Sequence, residues 1–354
     1  MPMRGGERAE ASIKDVARRA QVSIASVSRV MNGQPTVREE TRNRVLEAVQ
    51  TLNYVPHVGA RSLITQRTNV VGVLLPDLHG EFFSELIRGL DGLARDRRRQ
   101  LLLSSVRGEA EEVAAALRAL RGKVDGLVVM SPHVDADLLQ RNLPSALPTV
   151  LLNSPLQGTG RSTFTIDSYR GARAMMRHLA RRGHRRIAHI AGPEGNSDAE
   201  QRLRGYRDEM RRSRPKAPLE ILPGDFTQRS GYEAGRRLAQ ARERPDAVFA
   251  ANDVLAIGCL VAFREEGLRV PEDVAVAGFD DIPLASLVSP ALTTVRVHIA
   301  ELGRSAMEHL LAGIEDSKGT RPVTRRLTPE VVVRESCGTA RHFTRRRGRP
   351  NTPR

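Results

Sequence analysis

The stretch SIKDVARRAQVSIASVSRVMNG, residues 12–33, decides how the N-terminal part of this chain folds. Ser12 and Asp15 have the spacing of a capping box, in which each side chain satisfies a backbone N–H at the helix start. Ile13, Val16, Ala17 and Ala20 then recur at helical spacing. Gln21-Val22-Ser23 breaks the pattern, and Ser23 can cap a second helix that turns Val27 and Val30 inward. Asn32-Gly33-Gln34-Pro35 carries the usual stop signals. A third helix, roughly Glu39 to Leu52, is expected to bury Val45, Leu46, Val49 and Leu52. Two short helices joined by a three-residue turn and braced by a third form a helix-turn-helix. Spacing alone fits a plain three-helix bundle equally well.

Composition narrows the function classes. The chain has 354 residues, 40% of them hydrophobic, so it can bury a sizeable core and wholesale disorder is excluded. Aromatics make up 3% and tryptophan is absent, which leaves the core to Leu, Val, Ala and Ile. No apolar run approaches the roughly 20 residues that span a bilayer. The polar start, Met1 to Glu10, has no apolar signal segment, so the expected location is the cytoplasm. Cys259 and Cys337 are isolated, and no Cys/His cluster has metal-ligand spacing. The net charge of +15 is concentrated at the ends, with +5 in residues 1–68 and +6 in residues 339–354. A near-neutral body with two basic ends points to a polyanionic partner. Only four basic residues are lysine, so arginine enrichment by itself carries little weight.

From Val70 onward, short apolar runs alternate with helical patterns. The first series holds Val70–Leu75, Leu101–Leu103, Gly126–Val129 and Val150–Leu152, with a helix near Phe83–Arg97. The second holds Ile187–Ile190, Ala247–Ala250 and Val274–Ala277. Continuous apolar strands alternating with helices imply parallel sheets covered on both faces. Two series predict two α/β lobes, with a ligand cleft where the strand carboxyl ends converge. Neither a GxGxxG nor a Walker A sequence is present, so no nucleotide cofactor is expected.

The residues resolve what spacing leaves open. Ile13-Lys14-Asp15-Val16-Ala17, Val22-Ser23 and Val27-Ser28-Arg29-Val30-Met31-Asn32-Gly33 closely resemble the LacI/GalR family of bacterial transcriptional repressors. The likeness continues through Glu40-Thr41-Arg42, Tyr54-x-Pro56, Ala60-Arg61-Ser62-Leu63 and Arg67-Thr68-Asn69. It covers about residues 12 to 338. The resemblance implies a helix-turn-helix domain at 12–56, a hinge helix and linker at 57–68, and a two-lobed effector and dimerisation domain at 69–338. Polar tails at 1–11 and 339–354, expected to be disordered, flank them. The second helix would enter the major groove and present Ile24, Ala25 and Ser26, with Arg29 one turn later. Small apolar groups suit thymine methyls and arginine suits guanine. Ser12, Ser23, Ser28 and Asn32 would contact DNA around it. Leu63, with Ala60 beside it, would be the hinge wedge inserted from the minor groove. Gly59 weakens that hinge helix, and Arg38 stands where the family often places a serine cap.

In the body the family marks are Pro76-Asp77, Phe82-Phe83, Gly183-His184-Arg185-Arg186-Ile187, Ala191-Gly192-Pro193, Gly205-Tyr206, Ala251-Asn252-Asp253, Gly278-Phe279-Asp280-Asp281 and Leu292-Thr293-Thr294-Val295. They are similar to an effector domain of periplasmic-binding-protein type. By resemblance, Arg202 grips the effector with Asp280 and Asn252 as partners. Asn153, Asp198 and Phe82 join them, and Phe226 stacks on a sugar face. Gly80-Glu81, Met130, Val297 and Ile299 depart from residues common in the family.

The resemblance therefore implies a homodimeric, non-enzymatic repressor of a sugar-utilisation operon. It would bind a near-palindromic operator under the control of a small sugar-like effector, with no cofactor, metal or membrane partner. A transporter-associated solute-binding protein would lack the first 68 residues and carry an export signal. A hydrolase or kinase built on Asp253, Asp280, Asp281 and His184 would need a nucleophile elbow or phosphate loop that the chain lacks. In the tail, Arg345-Arg346-Arg347-Gly348-Arg349-Pro350 reads either as a solvated basic segment or as an AT-hook-like core for the minor groove.

Overall fold

The computed structural model describes residues 11–31, 34, 36–54, 67–106, 110–132, 136–154, 160–214, 218–316 and 321–338. The chain divides into two compact units, Met1–Thr68 and Asn69–Arg354.

In the first unit, α1 (Ile13–Arg19), α2 (Ile24–Met31) and α3 (Glu39–Thr51) pack around Val16, Ala17, Val27, Val30, Val45 and Ala48. The capping box forms: the Ser12 N–H and hydroxyl both donate to Asp15 Oδ2, at 3.0 and 2.6 Å. Ser23 Oγ accepts the Ser26 N–H at 3.1 Å and so starts α2. Arg38 makes no side-chain cap, and Glu39 and Glu40 supply the favourable negative charge in the first turn of α3. One expected core residue is misplaced. Leu46 is exposed, because Ala48, one turn on from Val45, takes the inward position.

The second unit has the expected two α/β lobes. The first lobe is a parallel sheet in the order β11-β5-β4-β3-β1-β2. Its strands are β1 (Val70–Leu75), β2 (Gln100–Ser105), β3 (Gly126–Met130), β4 (Thr149–Leu152), β5 (Ser162–Ile166) and β11 (Thr324–Leu327). It carries α4 (Glu81–Asp96), α5 (Ala110–Leu120), α6 (Ala136–Asn142) and α11 (Ile299–Glu315). The second lobe is a parallel sheet ordered β7-β6-β8-β9. These strands are β6 (Ile187–Ile190), β7 (Glu220–Leu222), β8 (Ala247–Ala250) and β9 (Ala275–Ala277). Around them lie α7 (Ser168–Arg181), α8 (Ser197–Ser213), α9 (Gln228–Gln240) and α10 (Asp253–Glu265). An antiparallel pair, β10 (Thr294–Arg296) with β12 (Glu330–Val332), extends this lobe. The orders β2-β1-β3-β4 and β7-β6-β8-β9 repeat one winding, so both sheets aim their carboxyl ends at the space between the lobes. The chain crosses between lobes three times, at Ile166–Ser168, Arg296–Ile299 and Leu327–Glu330.

Two strand expectations change. Leu102 and Leu103, in an apolar run that predicts burial, are more than a third exposed, because β2 is an edge strand with a neighbour on one side only. Strands β5, β7, β10, β11 and β12 go beyond the two apolar series, since they are polar, short or half-exposed.

Helices α9 and α10 approach so closely that their contact requires glycine on both sides. A Cβ at Gly258 would lie 2.1 Å from the Gln228 carbonyl oxygen, and one at Gly231 would lie 2.2 Å from that of Leu255. Neither backbone can yield without separating the helices. Gly258→Ala is expected to cost about 1–3 kcal/mol through overpacking. Denaturant melts followed by circular dichroism would measure this; unchanged stability would contradict the close packing.

Candidate functional site

A cavity of about 390 Å³ opens between the lobes, and its wall residues lie at or beyond the carboxyl ends of strands. Asp77, Glu81 and Phe82 follow β1, Pro132 follows β3, and Asn196, Asp198 and Arg202 follow β6. Asp225 and Phe226 follow β7, Asn252 follows β8, and Asp280 and Ile282 follow β9. Six of the seven effector-binding candidates therefore line one cavity: Phe82, Asp198, Arg202, Phe226, Asn252 and Asp280.

Asn153 is the exception. Its N–H donates to Phe164 O and its Oδ1 accepts the Ile166 N–H at 3.0 Å, so it braces the β4–β5 connection and stands behind Asp198 rather than in the wall itself. Met130 does line the cavity, whereas Val297 and Ile299 are buried core residues outside it.

Arg202 forms the floor. It is 4% exposed, which excludes a surface helix charge. Its Nη1 donates to the Ala251 carbonyl at 2.6 Å, and Nη2 lies 3.1 Å from Asp280 Oδ1. The guanidinium stacks 3.9 Å from the Phe279 ring centroid and 5.8 Å from that of Phe226. Ser168 Oγ donates to Asp198 Oδ1 at 2.9 Å, while Asn196 caps α8 through the N–H groups of Asp198 and Ala199. Asn252 caps α10 at Leu255 N, and its Nδ2 donates to Phe226 O.

Burial sets the electrostatics. It pushes the Asp280 carboxyl up to about 6, against the opposing pull of Arg202. Asp198 is raised for the same reason. Asp253, buried beside Asp280, is raised well above the carboxylate range. The backbone is strained at the same place. Phe226, Asp280 and Asp281 have positive φ of 68°, 114° and 58°, a cost of about 1–3 kcal/mol each that the surrounding structure must offset.

Two hydrogen bonds cross the cleft. Leu284 N donates to Glu81 Oε2 at 2.9 Å, and Ser197 N donates to Pro132 O at 3.4 Å. Sequence reasoning passed over Asp77, Glu81, Asn196 and Asp225 as ligand-facing residues. The strand-end rule, applied to every βα loop, would have found them.

The residues of an enzymatic reading are dispersed or engaged. Asp253 accepts hydrogen bonds from Thr294 Oγ1 and Ile282 N, and Asp281 is held by Arg296 and Arg334 at 2.6 Å each. His184 is buried beside Asp246 at the amino end of β6, away from the cavity. Among the described residues no group of three or more His, Cys, Asp and Glu side chains could hold a metal ion, and no helix is long and apolar enough to cross a membrane.

In the first unit, Ile24, Ala25 and Arg29 are exposed on α2, opposite the buried Val27 and Val30. Ile24 is 45% exposed, so it is not a core residue of the bundle. Ser12 and Ser23 are exposed, and Ser26 and Ser28 are half-buried. Asn32, Ala60 and Leu63 lie outside the described residues, as do most of the expected hinge and the whole of the basic tail.

Residues 12–57 match the model for bacterial regulatory proteins of the lacI family, and residues 176–337 match that for a periplasmic binding protein-like domain. The HTH-type transcriptional repressor PurR of Photobacterium profundum is 34% identical over 329 residues, covering 92% of this chain and 98% of that protein. The ribose operon repressor of Escherichia coli K12 is 36% identical over 337 residues, covering 92% and 100%. Among solved structures, the lac repressor dimer bound to operator and the anti-inducer ONPF superposes with a TM-score of 0.83 at 28% identity, covering 93% of this chain and 99% of that one.

Between about pH 4 and 6, Asp280 with its raised value binds more protons in the folded chain than in the unfolded one. Stability from this group therefore falls as pH rises through that window. Asp280→Asn removes the contribution while leaving Arg202 beside Asp198. Melting temperature plotted against pH should fall less steeply for the variant; parallel curves would contradict the raised carboxyl.

Proposed function

The chain belongs to the lacI family of bacterial regulatory proteins and is a DNA-binding transcriptional repressor, and on that premise we propose that the interlobe cavity takes a small sugar-like effector that controls operator affinity. The convergence on one cavity of six residues marked by the family resemblance, around the buried Arg202–Asp280 pair, carries this reading. Arg202 and Asn252 offer donors, Asp198 and Asp280 offer acceptors, and the Phe82 and Phe226 rings offer apolar faces. Such a set suits a molecule bearing hydroxyls on an apolar ring.

The protein acts as a homodimer on a near-palindromic operator, with α2 of each copy in a major groove. Ile24, Ala25, Ser26 and Arg29 face the bases; Ser12, Ser23, Ser28 and Asn32 contact or position the duplex. Residues 57–68 form the hinge, with Leu63 and Ala60 as its wedge. The exposed leucines of the unpaired β2 edge support a dimer contact through the first lobe. The effector changes operator affinity only through its different affinity for two states, typically about 1–3 kcal/mol of coupling. A free-standing solute-binding protein would have no use for residues 12–57.

Gel shifts with DNA upstream of the protein's own operon, repeated with a sugar panel, test this reading. Arg29→Ala should cost about 1–3 kcal/mol and relax preference at one symmetric base pair. Leu63→Ala should weaken operator binding and spare binding to random DNA. Phe226→Ala should retain operator binding and lose most of the effector response. Equal losses on operator and random DNA, or a normal response from Phe226→Ala, would overturn the corresponding assignment.

A further inference from the structure

The charge balance of the cavity carries the functional reading one step further. Five carboxylates, Asp77, Glu81, Asp198, Asp225 and Asp280, line it against a single guanidinium, that of Arg202. The charge of that guanidinium is already matched inside the protein. Nη1 is bonded to Ala251 O, Nη2 is paired with Asp280, and Nε points to Ser168 Oγ at 3.5 Å. His79, the other basic group in the wall, turns its ring to Asp77 at 3.1 Å, and its side chain is almost fully exposed. An incoming anion would therefore meet a surplus of negative charge, with the one guanidinium of the described wall already charge-matched by Asp280. Asp280 Oδ1, buried in the floor, is in the ion pair with Arg202 but makes no aligned hydrogen bond among the described residues. It is an acceptor waiting for an O–H or N–H donor.

Resting on the assignment of the cavity as the effector site, we propose that the effector is bound as an uncharged, hydroxyl-rich molecule and that its phosphorylated form is rejected. Hydroxyls donate to the Asp198 and Asp280 oxygens and accept from Asn252. Phe82, Met130, Val254 and Ile282 cover the C–H face. A phosphate in this volume faces an excess of carboxylates, of which Asp198 and Asp280 are buried and so poorly screened by solvent. The Glu81–Leu284 and Ser197–Pro132 hydrogen bonds also tie the two lobes across the cleft, which limits the escape of an added phosphate to solvent. Phosphoryl transfer to the sugar, the class of reaction that consumes such a molecule, would then end the signal.

The test is melting and titration calorimetry of the full chain with matched pairs: ribose and ribose 5-phosphate, glucose and glucose 6-phosphate, fructose and fructose 1-phosphate, with inorganic phosphate as the bare anion. A sugar that raises the melting temperature should bind at least about a hundredfold more tightly than its phosphate ester, and inorganic phosphate should have no effect. A sugar phosphate that binds as tightly as its free sugar, or more so, in an Asp280-dependent manner overturns the proposal while leaving the sugar reading of the cavity intact. If neither member of any pair binds, the sugar reading of the cavity falls and this proposal, which rests on it, falls with it.

Discussion

The buried Arg202 guanidinium is the interaction around which the second lobe is organised. Taking a cation out of water costs several kcal/mol unless it is paired and hydrogen-bonded. Here the cost is offset by a carbonyl at the end of β8, a carboxylate and an aromatic face that follow β9, and a hydroxyl at the start of α7. Arg202 itself belongs to α8. One side chain thus ties together four elements at the carboxyl edge of the sheet, and the position of each depends on it.

That dependence explains why the site is both strained and poised. Burial in the floor pushes the Asp198 and Asp280 carboxyls up, against the pull of the one cation they share, and both gain from a ligand that brings donors. Positive φ at Phe226, Asp280 and Asp281 aims side chains in directions a relaxed loop would not choose. Strain of this kind persists only where the surroundings over-determine it. The clamps on Asp253 and Asp281, from Thr294, Ile282, Arg296 and Arg334, supply that constraint. These acidic residues look catalytic in sequence but serve as struts.

The helix-turn-helix divides its labour more simply. The capping box and the Ser23 cap start the first two helices, and Val16, Val27, Val30 and Val45 lock them together. What is left on the outer face of α2 is an exposed set of small residues and one arginine. A soluble three-helix bundle gains nothing from exposing Ile24, whereas a groove-reading helix does.

The sequence by itself determined the helix-turn-helix, the parallel two-lobed architecture and six residues of the cavity wall. Caps, helical spacing and continuous apolar strands are local signals, and family motifs mark Arg202, Phe226, Asn252 and Asp280 one by one. Tertiary structure alone decided the matters that depend on neighbours distant in the chain. Leu102 and Leu103 are exposed because β2 lies at a sheet edge, a property of strand order that an apolar run cannot carry. Leu46 is exposed because the inward face of the third helix is set by Val45, Ala48, Val49 and Leu52, the positions that meet the other two helices. Asn153 left the cavity because the β4–β5 connection used its amide oxygen. The acidic surplus was also invisible in the chain order. Asp77, Glu81, Asp198, Asp225 and Asp280 are spread over 200 residues, and only the folding of strand ends from two sheets onto one space makes their charges add.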